Sequence, residues 1–102
     1  MIPPPAYEPK ASFVYLLRSK STGAFYVGWS TDLNRRVTDH NSGNSSYTKS
    51  RGPWELVGYE EFDNQEKAKK REKTLKHNPR MMLLFKKRLI NLGPSGQRQV
   101  VG

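Results

Sequence analysis

Cysteine is absent from the 102-residue chain, and histidine occurs only at His40 and His77. The absence of cysteine excludes disulfides and thiolate metal sites, and a zinc site would need both histidines together with carboxylates. No apolar run approaches the roughly 18 residues of a membrane-spanning helix, and the start of the chain lacks the pattern of a secretory signal. We therefore expect a soluble, cytoplasmic protein without a membrane partner.

Acidic residues are scarce relative to basic ones. The chain carries 18 Lys and Arg but only 9 Asp and Glu, which gives a formal net charge of +9. Such an excess on a small domain attracts polyanions, so nucleic acid is the first expected partner. An anionic membrane surface is a weaker alternative, because no basic helix with a broad apolar face is evident.

The hydrophobic patterns predict a single α+β domain with the element order β-β-α-β-α-α, in which a small three-stranded antiparallel sheet is flanked by helices. The domain is expected to cover residues 12–92, between a proline-rich arm at 1–11 and a flexible tail at 93–102. Residues 81–85, MMLLF, are expected in the core. The predicted strands are 12–19, 24–29 and 54–62, and the predicted helices are 31–42, 64–77 and 80–92.

Two predicted helices place polar residues on their apolar stripes. In the first, Leu33 and Val37 define an inward stripe that continues to Arg36 and His40.

In the second helix, Glu72 fills the seam between the aliphatic residues Ala68 and Leu75. A carboxylate there is costly to desolvate unless it is paired or binds a cation. A salt bridge and a divalent metal site are the two alternatives.

Tyr15 and Tyr26 lie on the two strands of a predicted hairpin and are expected on one face of the sheet. Strand tyrosines are usually core residues. Together with Arg36, His40 and Glu72, however, they supply the groups that phosphodiester hydrolysis needs: a metal ligand, a cation and a proton acceptor.

These residues occur in an ordered series of motifs. VYLL (14–17), YVG (26–28) and STDLNRRVTDH (30–40) resemble the GIY-YIG nuclease domain, and KAKKREKTLK (67–76) continues the resemblance. Over roughly residues 12–90 the chain is similar to small stand-alone bacterial members of that family. It is more distantly similar to the catalytic domain of the eukaryotic structure-specific nuclease and to the N-terminal domain of the excision-repair incision subunit.

The resemblance implies roles for individual residues. Tyr15 and Tyr26 match the tyrosines of the two motifs, and Arg36 matches the arginine that stabilises the transferring phosphate. His40 matches a position held by tyrosine or histidine. Glu72 matches the single glutamate that binds Mg²⁺ (or Mn²⁺). The general base stays open among Tyr15, Tyr26 and His40.

Two further positions extend or limit the comparison. Gly28 matches the glycine beside the active site, where a side chain is expected to crowd the groove between Tyr26 and the arginine helix. Trp29 replaces a lysine found in some relatives, so no role of that lysine is transferred.

The expected function is that of a metal-dependent DNA endonuclease in repair or recombination. The loop residues Lys49 and Arg51, together with Tyr47, are expected to bind the nucleic-acid backbone beside the site, with stacking from the tyrosine. A non-catalytic nucleic-acid-binding module on the same fold is the alternative, and an RNA-directed protein is a third. Because no zinc-binding or helix-hairpin-helix module of the kind that larger relatives use to choose DNA structures is found, the sequence leaves open which DNA structure is cut. It also leaves open the oligomeric state and whether a partner subunit is needed.

Overall fold

The computed structural model describes residues 11–43 and 51–92, and these form the α+β arrangement that the sequence predicts, in the order β-β-α-β-α-α. The predicted arm and tail, and the loop residues Tyr47 and Lys49, lie outside the described residues. The strands are β1 (Ser12–Ser19), β2 (Phe25–Ser30) and β3 (Trp54–Phe62), and the helices are α1 (Leu33–Asn41), α2 (Gln65–His77) and α3 (Pro79–Leu92).

Capping side chains set where the first two helices begin. Asp32 accepts a hydrogen bond from the backbone N–H of Arg35 at 3.1 Å, so α1 begins later than predicted. Asn64 caps α2 in the same way through the N–H of Lys67 at 2.9 Å. Gly43, with a φ of +84°, follows the end of α1 and confirms the predicted glycine stop.

The antiparallel sheet has the strand order β2-β1-β3, so β1 is central and β2 is an edge strand. Alternate residues of β1 face opposite sides, as the strand period of two requires. Val14 and Leu16 pack in the cluster that includes α2 and α3, whereas Tyr15 and Leu17 pack in the cluster that includes α1. The sheet therefore separates α1 from the other two helices.

The expected core role of residues 81–85 is only partly correct. Phe85 is buried, and Met81 and Met82 pack against the core, but Leu83 and Leu84 are 52% and 54% exposed. Five consecutive helical residues cannot all face one side, because each step turns the helix by about 100°. Among the described residues, no helix is both long and apolar enough to cross a membrane.

Candidate active site

Tyr15 is fully buried in the central strand, directly opposite Gly28 of β2. Its phenol occupies the space that a side chain at position 28 would need. A Cβ built on Gly28 would lie 2.6 Å from Tyr15 Cζ and closer still to the hydroxyl oxygen. The glycine is therefore required by Tyr15 itself, which refines the expectation that a side chain there would crowd the groove near Tyr26.

The Tyr15 hydroxyl is held by two residues of α1. Its oxygen lies 2.9 Å from His40 Nε2, and the Arg36 guanidinium interacts with it electrostatically and opposes the rise of its pKa. We assign the phenol O–H as the donor to His40 Nε2 in this hydrogen bond. This arrangement requires Nε2 of His40 to be unprotonated.

The pKa values of both groups move in the directions that this hydrogen bond needs. Burial raises the pKa of Tyr15, and the Arg36 guanidinium opposes that rise. Burial lowers the pKa of His40 below its ordinary 6.5, and the charge of Arg36 lowers it further. At neutral pH the pair is therefore a neutral phenol next to a neutral imidazole.

The two α1 residues differ in position. His40 is buried as predicted, at 2% exposure, but Arg36 is an exposed residue, which corrects its expected inward position. From this exposed position Arg36 still interacts electrostatically with the Tyr15 phenol.

Tyr26 joins the same group of rings, which confirms that the two tyrosines share a face of the hairpin. Its ring centroid lies 6.3 Å from that of Tyr15 and 4.7 Å from that of His40. Unlike Tyr15, Tyr26 is only half-buried, so its ring is open to a ligand at the surface.

Glu72 approaches from α2, on the other side of the sheet. Ala68 and Leu75 are buried on either side of it, and its own side chain is 21% exposed, as the seam position predicts. Its carboxylate pairs with Lys76 Nζ at 3.3 Å, and the same Nζ lies 5.5 Å from the ring centroid of Tyr26. The negative charge of Glu72 also raises the pKa of Tyr15. The carboxylate thus lies at the β2 edge, within electrostatic reach of the phenol.

Sequence reasoning missed the contribution of Lys76. Its position four residues after Glu72 is the spacing of a helical ion pair, so the signal was present in the sequence. The salt-bridge alternative for Glu72 is therefore realised by a flexible lysine within the same helix.

The structure also locates Arg51, beside the turn between β1 and β2. Its carbonyl oxygen accepts hydrogen bonds from the hydroxyls of Ser19 and Ser21. The expected contact of Arg51 with nucleic acid stays a prediction.

Glu72 is the residue that could hold a metal ion. Within residues 11–43 and 51–92 no three acidic or histidine side chains cluster as a preformed metal cage. Mg²⁺ does not need one, because it keeps several waters and is commonly held by one or two carboxylates together with substrate phosphates. A partly exposed carboxylate paired only with a mobile lysine among the described residues fits such an ion.

Comparisons with known proteins identify the family of the chain. The sequence model of the GIY-YIG catalytic domain matches residues 11–84, which include all five residues of the site. The chain belongs to the GIY-YIG nuclease family. It is 38% identical over 80 residues to the UPF0213 protein CPE1444 of Clostridium perfringens, covering 74% of this chain and 85% of that protein. It is 41% identical over 66 residues to the UPF0213 protein BH0048 of Halalkalibacterium halodurans, covering 64% and 69%.

A solved structure is also similar to this GIY-YIG chain. The solution NMR structure of the UPF0213 protein BH0048 from Bacillus halodurans is 36% identical and covers 84% of this chain and 88% of that one, with a TM-score of 0.47.

Proposed function

We propose that this GIY-YIG protein is a metal-dependent DNA endonuclease that hydrolyses phosphodiester bonds in DNA repair or recombination. The observation that carries the proposal is the convergence of functional groups from three elements at the β2 edge. β1 supplies the Tyr15 phenol, α1 supplies His40 and Arg36, and α2 supplies Glu72. Catalytic groups held on packed strands and helices are oriented before the substrate arrives.

The proton path runs through Tyr15 to His40. A phenol with a raised pKa is a poor base alone, since little phenolate exists at neutral pH. His40, whose pKa is lowered, is neutral and can accept a proton. As water attacks phosphorus, the Tyr15 oxygen takes the proton of the water and passes its own proton to His40 Nε2. In this proposal His40 is the final acceptor, and the Tyr15 hydroxyl, which is buried in the protein without substrate, must become accessible to the water when the substrate binds.

The remaining groups handle negative charge. Arg36 neutralises charge that develops on the phosphate oxygens, as a guanidinium at a rim position can do without full burial. Glu72 would hold Mg²⁺ or Mn²⁺, and the bound ion would stabilise the leaving oxygen. Lys76 would exchange its contact with Glu72 for a phosphate of the substrate.

The proposal is tested with labelled single-stranded, duplex, flap and branched DNA, each with Mg²⁺ or with EDTA. We expect cuts with Mg²⁺ on at least one substrate and none with EDTA. Glu72→Gln should lower the single-turnover rate by at least about 100-fold, because a metal ion contributes several kcal/mol to such a transition state. DNA binding should persist in this variant.

Glu66→Gln is the matched control, because Glu66 is an exposed acid on the same helix. Its rate should equal that of the parent. Salt-sensitive binding with no cutting of any substrate would refute the endonuclease proposal and favour the non-catalytic module. Equal losses in both glutamate variants would refute the assignment of the metal to Glu72.

A further inference from the structure

A cavity lies at the Phe25 end of β2, next to the candidate active site. Its volume is about 390 Å³, within the range of about 300–1,000 Å³ that is typical of small-ligand sites. It shares Tyr26 and Lys76 with the active site, so a ligand in it would lie beside the scissile phosphate. Its lining residues are Phe25, Tyr26, Val27, Lys76, Met82 and Lys86.

We propose that this cavity binds one unpaired nucleobase of the substrate, in the nucleotide next to the cleaved bond. The proposal rests on the nuclease function and specifies its substrate class, a strand that is unpaired at the cut. A nucleobase is the ligand that matches a pocket with aromatic and apolar walls and cationic groups at its rim.

The walls suit a planar, uncharged ring. Phe25 is half-buried, so its ring is fixed by the core while part of it faces the cavity, and Met82 packs against the same core. Methionine adapts its shape to flat aromatic ligands through its flexible, polarisable thioether. The cavity therefore offers a stacking surface and an adaptable opposite wall.

Lysine at the rim suits the phosphates that flank the base. Lys86 Nζ lies 4.8 Å from the Phe25 ring centroid. In the same way, Lys76 Nζ lies 5.5 Å from the Tyr26 ring centroid. Lysine side chains have a long, flexible stem, so an incoming base can replace the ammonium group on the ring. The displaced lysine then reaches the adjacent phosphate, which is a stronger partner for its charge than an aromatic face.

The cavity at the opposite end of β2 has a different chemistry. It has a volume of about 330 Å³ and is lined by Trp29, Ser30, Thr31, Arg36 and Gln65. Hydroxyl, amide and guanidinium groups suit a sugar–phosphate backbone. Gly28 lies between the two cavities, so we place the backbone at the Arg36 end and the base at the Phe25 end.

A base in a duplex cannot enter the Phe25 cavity, because both of its faces are stacked on neighbouring base pairs. Entry requires the base to be extruded or already unpaired, and extrusion is cheapest where no pairing exists. The cavity therefore favours single-stranded arms and mispaired or branched sites over perfect duplex.

The test measures binding without cleavage, in the full chain carrying Glu72→Gln and without divalent metal. The probes are a labelled single-stranded oligodeoxythymidine and a strand of equal length whose nucleotides lack bases, so that the phosphate charge is the same. We expect the thymidine strand to bind about 5- to 150-fold more tightly, which is the usual effect of one stacked base. Adding Phe25→Leu should reduce this preference at least about fivefold.

Phe13→Leu is the matched control, since Phe13 is a half-buried strand phenylalanine whose ring packs on Tyr59. It should keep the preference of the parent. Circular dichroism checks that each variant folds. A preference that Phe25→Leu leaves unchanged, or that Phe13→Leu abolishes equally, would overturn the proposal.

Lys86→Gln provides a second test that does not disturb the core. It should weaken binding of the thymidine strand more than Lys87→Gln does, because Lys87 is an exposed neighbour outside the cavity. Equal losses in the two lysine variants would overturn the proposal. This comparison decides the matter if Phe25→Leu fails to fold.

The outcome is separable from that of the proposed function. Base-dependent binding in a protein that cuts no DNA would support the pocket while refuting the nuclease. Metal-dependent cutting with no preference for the strand that carries bases would refute the pocket alone. Binding to neither strand would also refute the pocket.

Discussion

Replacing Gly28 with alanine tests the central packing of the site with a single methyl group. Gly28 lies inside a strand, and its φ is not in the left-handed region. At such a position alanine would ordinarily stabilise the protein by about 0.4–1 kcal/mol, since it reduces the entropy of the unfolded chain. Steric conflict with Tyr15 predicts the opposite sign.

The magnitude follows from the contact. The new Cβ would lie 2.6 Å from Tyr15 Cζ, well inside van der Waals contact, and Tyr15 is fully buried. Overpacking of this kind costs about 1–3 kcal/mol. We expect the free energy of unfolding to fall by about that amount in urea titrations. The single-turnover cleavage rate should fall about 100-fold, because displacement of a catalytic group by about 1 Å has that effect.

A double-mutant cycle isolates the cause. Tyr15→Phe removes the hydroxyl, which is the atom closest to the new methyl group, so Gly28→Ala should cost less stability in that background. Gly52→Ala is the control, because its Cβ would meet only Trp54 Cδ1 at an ordinary 3.7 Å. An increase in stability for Gly28→Ala, or equal losses in both backgrounds, would refute the reasoning.

Two further predictions concern buried titratable groups. Because burial lowers the pKa of His40, the unfolded state binds a proton more readily below pH 6.5, so stability should fall with decreasing pH from about 6.5 down to the folded pKa. The slope should not exceed about 1.4 kcal/mol per pH unit, and the cleavage rate should fall as the pH approaches and passes below the folded pKa of His40. Urea titrations and cleavage rates at several pH values test this, and a stability slope that is unchanged in His40→Gln would contradict it. Glu60→Gln should lower the free energy of unfolding by about 1.5–3 kcal/mol in the same urea titrations, because the buried Glu60 carboxylate binds Arg71 at 2.9 Å and also Arg88. Breaking a fully buried ion pair would lower stability by about 3–5 kcal/mol, but the side chains of Arg71 and Arg88 are 23% and 35% exposed and can be hydrated again. Unchanged stability in Glu60→Gln would contradict the ion-pair argument.

Periodicity in the sequence was sufficient to predict the members of the site that lie on regular elements. The bounds of β1 and β3 agree with the predicted 12–19 and 54–62. The hairpin fixes Tyr15 next to Tyr26, and the helical stripe from Val37 places His40 inside. These positions follow from periods of 2 and 3.6 residues, which local sequence carries directly.

Periodicity could not predict contacts between elements far apart in sequence. Glu60 was read only as part of a strand, yet it is 1% exposed and joins β3 to α2 and α3 through two arginines. The exposure of Leu83 and Leu84 likewise depends on which face of α3 the sheet covers. Such facts depend on how helices and sheet pack, and a single sequence does not encode them as a local pattern.

The position of Glu72 links the stability of the fold to the proposed catalytic role of this residue. Within α2 only Ala68 and Leu75 are buried, so little apolar surface fixes the rotation of that helix on the sheet. Arg71, the residue directly before Glu72, is held by the buried carboxylate of Glu60. A bidentate ion pair has a preferred geometry, so it restricts helix rotation more than a small apolar contact does. The Glu60–Arg71 pair therefore supplies the constraint that the polar helix lacks, and it keeps the Glu72 carboxylate at the β2 edge.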